Sequence, residues 1–209
     1  MFISFEGIDG AGKSTAIDQL KKFLIDSHLN ESIVFTREPG GTKISEAIRQ
    51  ILISNDYEKM DPWTEALLYA AARCQNVVEK IQPALESNKV VLADRFVDSS
   101  LAYQGGGRGL GIENVAKLNK FATGDILPDR VVYFKVSPEV ALSRVQRRAE
   151  TDRLEKERAA FFQSISAAYD TLIAKSPAHF IVIDAGKSPV EVYQALKAAV
   201  VPLIEEAIH

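Results

Sequence analysis

The sequence predicts an α/β fold, a three-layer α/β/α domain built on a five-stranded parallel sheet. Short apolar runs rich in β-branched and aromatic residues alternate with longer segments of helical periodicity, and strands separated by helices pair in parallel through right-handed crossovers. The 209 residues, 46% of them apolar, suffice for one substantial core, because a chain of this size buries about 70% of its unfolded surface. No repeat, linker or low-complexity tract divides them, so residues 1–209 are expected to form one domain.

Phe2 to Phe5 is the first strand, and a glycine-rich turn leads from it to a helix whose Ile17, Leu20 and Leu24 fall at i, i+3, i+7. Ile33 to Phe35 is the second strand. Ile44, Ala47, Ile48 and Ile51 follow at i, i+3, i+4, i+7, the spacing of one buried helix face. Another helix begins at Asp61-Pro62. Val90 to Ala93 and Val131 to Val136 are the third and fourth strands. Phe161, Ile165, Ala168, Tyr169 and Leu172 repeat the helical spacing, and Phe180 to Ile183 is the last strand. The final helix has a full start signal, with Ser188 as N-cap, Pro189 in the first turn and Glu191 closing a capping box. The strands' unbroken apolarity reads as burial on both faces.

Composition excludes several classes of function. A chain long and apolar enough for one substantial core is neither disordered nor a disulfide-stapled mini-protein, and Gly and Pro are near average usage. A net charge of −3 argues against a broad nucleic-acid-binding surface, while leaving room for a local basic pocket. No apolar run approaches the ~20 residues of a bilayer-spanning helix, and the first six residues lack the basic and apolar regions of a signal peptide. The lone Cys74 permits no internal disulfide, which suits a reducing compartment. A soluble cytoplasmic protein with neither nucleic-acid nor membrane partners is expected.

After the first strand comes Gly7-Ile8-Asp9-Gly10-Ala11-Gly12-Lys13-Ser14, the pattern G-x-x-x-x-G-K-[ST], opening into a helix. The chemistry requires that spacing. Glycines let the backbone curl so that successive N–H groups face a phosphate, and the helix N-terminus adds its positive end. Lys13 then reaches the β and γ phosphates of ATP, and the Ser14 hydroxyl can ligate Mg²⁺. A carboxylate at the end of a neighbouring strand would hold that ion through its water shell; Asp94 is so placed, and Arg95 follows it directly.

A phosphate cradle serves switches, motors and kinases alike. A guanine-specific switch would carry Asn-Lys-x-Asp, but Asn88-Lys89 and Asn119-Lys120 continue as Val90-Val91 and Phe121-Ala122. What the chain offers instead is arginines: Arg37, Arg49, Arg73, Arg95 and a late cluster of Arg144, Arg147, Arg148, Arg153 and Arg158. Guanidinium forks bind phosphate bidentately and stay charged, as a second phosphorylated substrate would need.

Phe5-Glu6-Gly7-Ile8-Asp9, Thr36-Arg37-Glu38-Pro39-Gly40-Gly41-Thr42, Ala70-Ala71-Ala72-Arg73 and Asp94-Arg95, followed by Asp98 through Gly109, together resemble bacterial thymidylate kinase, in order and over essentially the whole chain. The resemblance implies a P-loop nucleoside monophosphate kinase fold, ATP and dTMP as substrates, Mg²⁺, and a homodimer to which the helix from Pro62 could supply an interface. It places Gly7, Ile8, Asp9, Gly10, Ala11, Gly12, Lys13, Ser14 and Thr15 around ATP, with Ser14 and Asp94 toward the metal. Tyr69 and Arg73, four apart and so on one helix face, match the positions that stack on thymine and bond its O4. Ser99 and Ser100 would contact the pyrimidine edge and Gln104 would border the base, while the Tyr103 ring would crowd C2′ and penalise a ribose. Asp9 would accept from the 3′-hydroxyl; Arg37, Arg49 and Arg95, with Glu38 alongside, would serve the acceptor phosphate. Gly105 to Gly107 is no dinucleotide motif, since it neither continues as G-x-G-x-x-G nor follows a strand; it is expected to shape a loop closing the pyrimidine pocket.

The acceptor would be a dianionic phosphate, so no general base is needed, and His28, His179 and His209 read as structural or solvated. Some members of the family carry an arginine inside the P-loop, where this chain has Gly10. The transition-state arginine must then come from elsewhere, and the stretch from Arg144 to Arg158, with six basic and four acidic residues, matches a mobile lid. Arg148 is the expected principal residue, with Arg153 next, although mixed charges also suit a solvated helix face. Lys13, Asp9, Arg95, Arg148 and Arg153 are thus the candidate catalytic residues. A deoxynucleoside kinase, which needs a base for a 5′-hydroxyl, and a non-catalytic nucleotide sensor are the competing readings.

Overall fold

The computed structural model describes residues 1–146 and 155–208, the side chains of 155–158 excepted. The strands are β1 (Phe2–Glu6), β2 (Ile33–Arg37), β3 (Val90–Asp94), β4 (Arg130–Lys135) and β5 (Phe180–Asp184), and they pair in parallel in the order β2-β3-β1-β4-β5. The helices are α1 (Lys13–Asp26), α2 (Lys43–Ile53), α3 (Pro62–Asn76), α4 (Gln82–Glu86), α5 (Val97–Ser100), α6 (Ile112–Thr123), α7 (Pro138–Gln146), α8 (Glu155–Lys175) and α9 (Pro189–Ile208). A π-helical turn, Val77–Ile81, joins α3 to α4, and a second, Leu101–Gly107, continues α5. Among the described residues no helix is long and apolar enough to cross a membrane.

All five residues of β1 are buried, and since alternate side chains point to opposite faces, helices must cover the sheet on both sides. The core runs through Phe2, Ile3 and Phe5, Val90 to Ala93 and Val131 to Phe134, with Leu20 and Leu24 of α1, Ile165 and Tyr169 of α8, and Leu196 and Val200 of α9 against them. The predicted helix starts are present: Asp61 caps α3 by accepting from the Trp63 and Thr64 amides, and Ser188 and Glu191 form the capping box of α9.

Two expectations are corrected. The edge strands are not buried on both faces; Val182 of β5 is 47% exposed, because an edge has a sheet neighbour on one side only and thinner cover. The apolar face of α2 does not point into the core either. Ile44 and Ile51 are 51% and 41% exposed, and Ser45 is the buried residue of the helix, its hydroxyl donating to the Ala72 carbonyl of α3 at 2.8 Å. Periodicity reports an apolar stripe without saying what covers it.

The strands run past their apolar segments into polar ones, which sets the site. β1 ends on Glu6, β2 on Arg37 and β3 on Asp94, with Asp94 in register with both Phe5 and Arg37. From β1 the chain first builds toward β3 and β2 and later toward β4 and β5. That reversal opens a crevice at the carboxyl end of β1, where ligands of open α/β sheets bind.

Candidate active site

Gly10 and Gly12 of the loop after β1 have φ of 83° and 87°, a region open to glycine. At Gly10 space is also decisive, since a Cβ there would collide with the carbonyl oxygen of Ala141 in α7. Arg144 of α7 donates to the Gly10 carbonyl at 3.4 Å and to the Ala185 carbonyl at 3.0 Å. The lack of a side chain at Gly10 thus lets α7 descend onto the loop.

Lys13 opens α1 and is buried; burial, with Arg95 nearby, lowers its pKa to about 8 against the pull of Asp94, Asp9 and Glu6. Ser14 and Thr15 are exposed beside it. Oδ1 of Asp94 is buried without a hydrogen-bond partner among the described residues, the condition of a carboxylate that needs a further donor or a cation. No cluster of three acidic, His or Cys groups accompanies it among the described residues. One carboxylate and one hydroxyl suit hydrated Mg²⁺ completed by substrate phosphates, so the residues fit that ion.

Beyond the loop lies a cavity of about 190 Å³ walled by Asp9, Glu38, Pro39, Arg49, Ile53, Tyr69, Arg95, Ser99, Tyr103 and Gln104. Arg95 joins the two halves. Its Nη1 donates to the Gly7 carbonyl at 3.0 Å and to Ser99 Oγ at 2.9 Å, and its Nη2 to Asp9 Oδ1 at 2.5 Å and the Tyr103 hydroxyl at 3.2 Å. Burial works against its charge, but Tyr103, Asp9, Tyr169 and Glu6 more than offset that and hold its pKa above the ordinary guanidinium value. The Tyr103 hydroxyl also accepts from the Asp9 amide at 3.0 Å, so this tyrosine offers a bonded oxygen as well as a ring.

Three predicted acceptor residues lie outside this wall. Arg37 is half-exposed and paired with both oxygens of Glu46 at 2.9 and 2.8 Å. Arg73 is 1% exposed: Nε donates to Glu38 Oε2 at 2.6 Å, Nη1 to Ser100 Oγ at 3.0 Å and to Asn119 Oδ1, and Nη2 to the Phe96 carbonyl at 3.0 Å. Ser100 is held in that same buried set. Burial pushes Glu38 up to about 7 although Arg73 and Asn76 oppose it. Burial and the Glu6 charge likewise push Asp98 up to about 7.

Gly105 to Gly107 is helical and forms no loop. A Cβ on Gly106 would stand 2.6 Å from the Cβ of Ala168, so glycine here permits α8 to lie directly on the segment that carries Tyr103 and Gln104. Of the stretch 144–158, residues 147–154 lie outside the described residues, and with them Arg147, Arg148 and Arg153.

Sequence reasoning missed two features. Glu6 is fully buried against Phe96, Ser99 and Tyr169, and its signal was an acid ending a strand, the same signal that picked out Asp94. A second cavity, of about 420 Å³, lies along the loop's other flank between Gly10, Gly12, Thr15, Arg144, Ala185 and Lys187. Nothing local announced it, because Ala185 and Lys187 lie beyond β5.

A phosphate cradle that shares Arg95 with the pocket walled by Tyr69 and Tyr103 is the arrangement of a phosphoryl-transfer enzyme. Comparison with known proteins narrows the class. A family model described as thymidylate kinase matches residues 5–196. Thymidylate kinase of Geobacillus thermodenitrificans is 46% identical over 98% of this chain and 91% of its own length, and that of Bacillus licheniformis 46% identical over 100% and 96%. The crystal structure of thymidylate kinase from Ehrlichia chaffeensis superposes with a TM-score of 0.78 at 29% identity, covering 96% of this chain and 97% of that one. The chain belongs to the thymidylate kinase family.

Proposed function

We infer that the protein transfers the γ-phosphoryl group of ATP to dTMP, giving ADP and dTDP. The observation that carries this reading is Arg95, whose one guanidinium touches the phosphate cradle at Gly7 and the wall of the 190 Å³ cavity at Ser99 and Tyr103. A group so placed can align an acceptor phosphate with a donor.

The work is positioning and neutralisation of charge. The amides of the loop and the N-terminus of α1 receive the ATP phosphates, with Lys13 supplying charge at the β and γ positions. Ser14 and Asp94 would hold Mg²⁺, which when bound neutralises charge on the phosphate oxygens. The cavity beside Arg144, Ala185 and Lys187 takes the adenine. Arg49 and Arg95 hold the acceptor phosphate, Tyr69 stacks on the pyrimidine with Gln104 at its border, and Asp9 accepts from the 3′-hydroxyl. Arg73 acts from behind the wall by fixing Glu38 and Ser100. Arg148, with Arg153 second, closes over the transferred group as residues 144–158 cover the site. The acceptor oxygen already carries charge, so no base enters the scheme.

The second partner is another copy of this chain. Trp63, Leu67, Ala71 and Cys74 of α3 and Val78 of the π-helical turn that follows it are all exposed and recur every three or four residues, and Ile44, Ala47 and Ile51 do the same on the adjoining α2. Apolar stripes on two packed helices suit a self-complementary interface. Sedimentation should give a dimer that Leu67→Asp converts to monomer; a monomeric parent contradicts this. For the reaction, ADP release with dTMP and with thymidine separates phosphate from hydroxyl acceptors: turnover is expected with dTMP alone, and a preference for thymidine overturns the reading.

A further inference from the structure

Glu6 has no part in that scheme, yet it is 0% exposed and collects three donors. Its Oε1 accepts from the Phe96 amide at 2.7 Å, and its Oε2 from Ser99 Oγ at 2.5 Å and the Tyr169 hydroxyl at 2.9 Å. A carboxyl in so dry a place is costly unless bonded, and here two of the three bonds bear on Arg95.

The backbone comes first. Arg95 has φ of 73°, a left-handed conformation unfavourable for a residue with a Cβ. The turn is clamped on both sides, by the Arg95 amide donating to the Phe5 carbonyl at 3.0 Å and by the next amide, Phe96, donating to Glu6. The side chain comes second. A serine hydroxyl has one proton, and Ser99 gives it to Glu6, which leaves its lone pairs facing Arg95 Nη1 at 2.9 Å.

Tyr169 brings in a distant element. It lies on α8, the helix that follows residues 147–154, and stacks on Tyr133 with ring centroids 4.6 Å apart. The same helix sets Ala168 against Gly106 and Phe161 edge-on to Tyr103, with centroids 6.2 Å apart. One carboxylate therefore ties the end of β1, the Arg95 turn and α8 together.

We propose that Glu6 is a positioning residue for the acceptor phosphate, acting through the Phe96 amide and Ser99 on Arg95, and that Tyr169 couples this network to α8. The proposal rests on the reading of Arg95 as a phosphate donor, and the test separates the two. Steady-state kinetics and melting curves are measured for Glu6→Gln, Tyr169→Phe, Arg95→Ala and the double variant Glu6→Gln/Arg95→Ala. Glu6→Gln should raise KM for dTMP about tenfold and leave KM for ATP within about twofold, a tenfold change being about 1.4 kcal/mol. Tyr169→Phe, which loses one oxygen and keeps the ring, should move KM for dTMP in the same direction by about threefold. In the Arg95→Ala background Glu6→Gln should add less than about twofold, since its target is gone.

A parallel rise in both KM values would mark general damage and overturn the proposal, as would persistence of the full effect without Arg95. If Arg95→Ala raises KM for dTMP while Glu6→Gln and Tyr169→Phe do not, only this proposal fails. If Arg95→Ala leaves KM for dTMP unchanged, the reading of Arg95 fails, and this proposal with it. Should Glu6→Gln not fold, Tyr169→Phe against Arg95→Ala supplies the same cycle.

Discussion

Replacing Arg73 by methionine removes a guanidinium that is 1% exposed and bonded to Glu38, Ser100, Asn119 and the Phe96 carbonyl. Among the described residues Glu38 would keep only Asn76, at 3.4 Å, as a bonded partner. Breaking a buried pair from one side costs about 3–5 kcal/mol, whereas removing both charges together costs far less. For a chain of this length that amounts to a fall in Tm of about 10 °C. The loss should also depend on pH. Glu38 already has a folded pKa raised from 4.5 to about 7, so its contribution to stability is full below pH 4.5 and is lost as pH rises through 7. Without Arg73 the folded pKa rises further, and the window of loss extends above 7. Urea unfolding of Arg73→Met at pH 5.5 and pH 8 should therefore show the larger deficit at pH 8, and Arg73→Met/Glu38→Gln should recover part of it. A deficit below about 1 kcal/mol, or one larger at pH 5.5, would refute the buried-pair account.

Because Lys13 titrates at about 8, kcat/KM for ATP should fall as pH rises through that value, and Lys13→Arg should remove this limb from the profile; a flat profile to pH 9.5 would contradict it. Tyr103→Phe deletes the acceptor of the Asp9 amide and an Arg95 bond, so KM for dTMP should rise about fivefold, in line with ~1 kcal/mol for a buried hydrogen bond, without new ribonucleotide use. A large gain in ribonucleotide turnover would mean that the hydroxyl, and not the ring, excludes the ribose. Gly10→Ala should lower kcat/KM for ATP at least ~10-fold, because the strained φ and the collision with Ala141 act together; unchanged kinetics would show that α7 yields freely. Arg148→Ala should cut kcat by on the order of 10³-fold, and an unchanged kcat would pass its role to Arg153 or another arginine of the segment.

What was legible in the sequence was what is local. The phosphate cradle is consecutive residues whose spacing alone defines a curled backbone and a helix start, and Asp61 and Ser188 cap their helices through amides two or three residues away. Arg73 could be placed on a helix face with Tyr69, but its burial depends on Glu38, Ser100 and Asn119, which are 35, 27 and 46 residues distant. Three glycines in a row suggested a loop, and only the nearness of α8 explains a helix there. Tyr169 looked like a core aromatic and is one, with a hydroxyl whose partner lies 163 residues away on β1. The stripe on α2 was legible as apolar, while its outward direction follows from Ser45 docking on α3.

The central claim is that one arginine-bridged cavity selects dTMP as the phosphoryl acceptor. Initial rates of ATP-dependent ADP release, measured with dTMP, AMP, GMP and CMP at equal concentrations, test it most directly. The account predicts turnover of dTMP well above the other three; AMP, GMP or CMP used as well as or better than dTMP would contradict it.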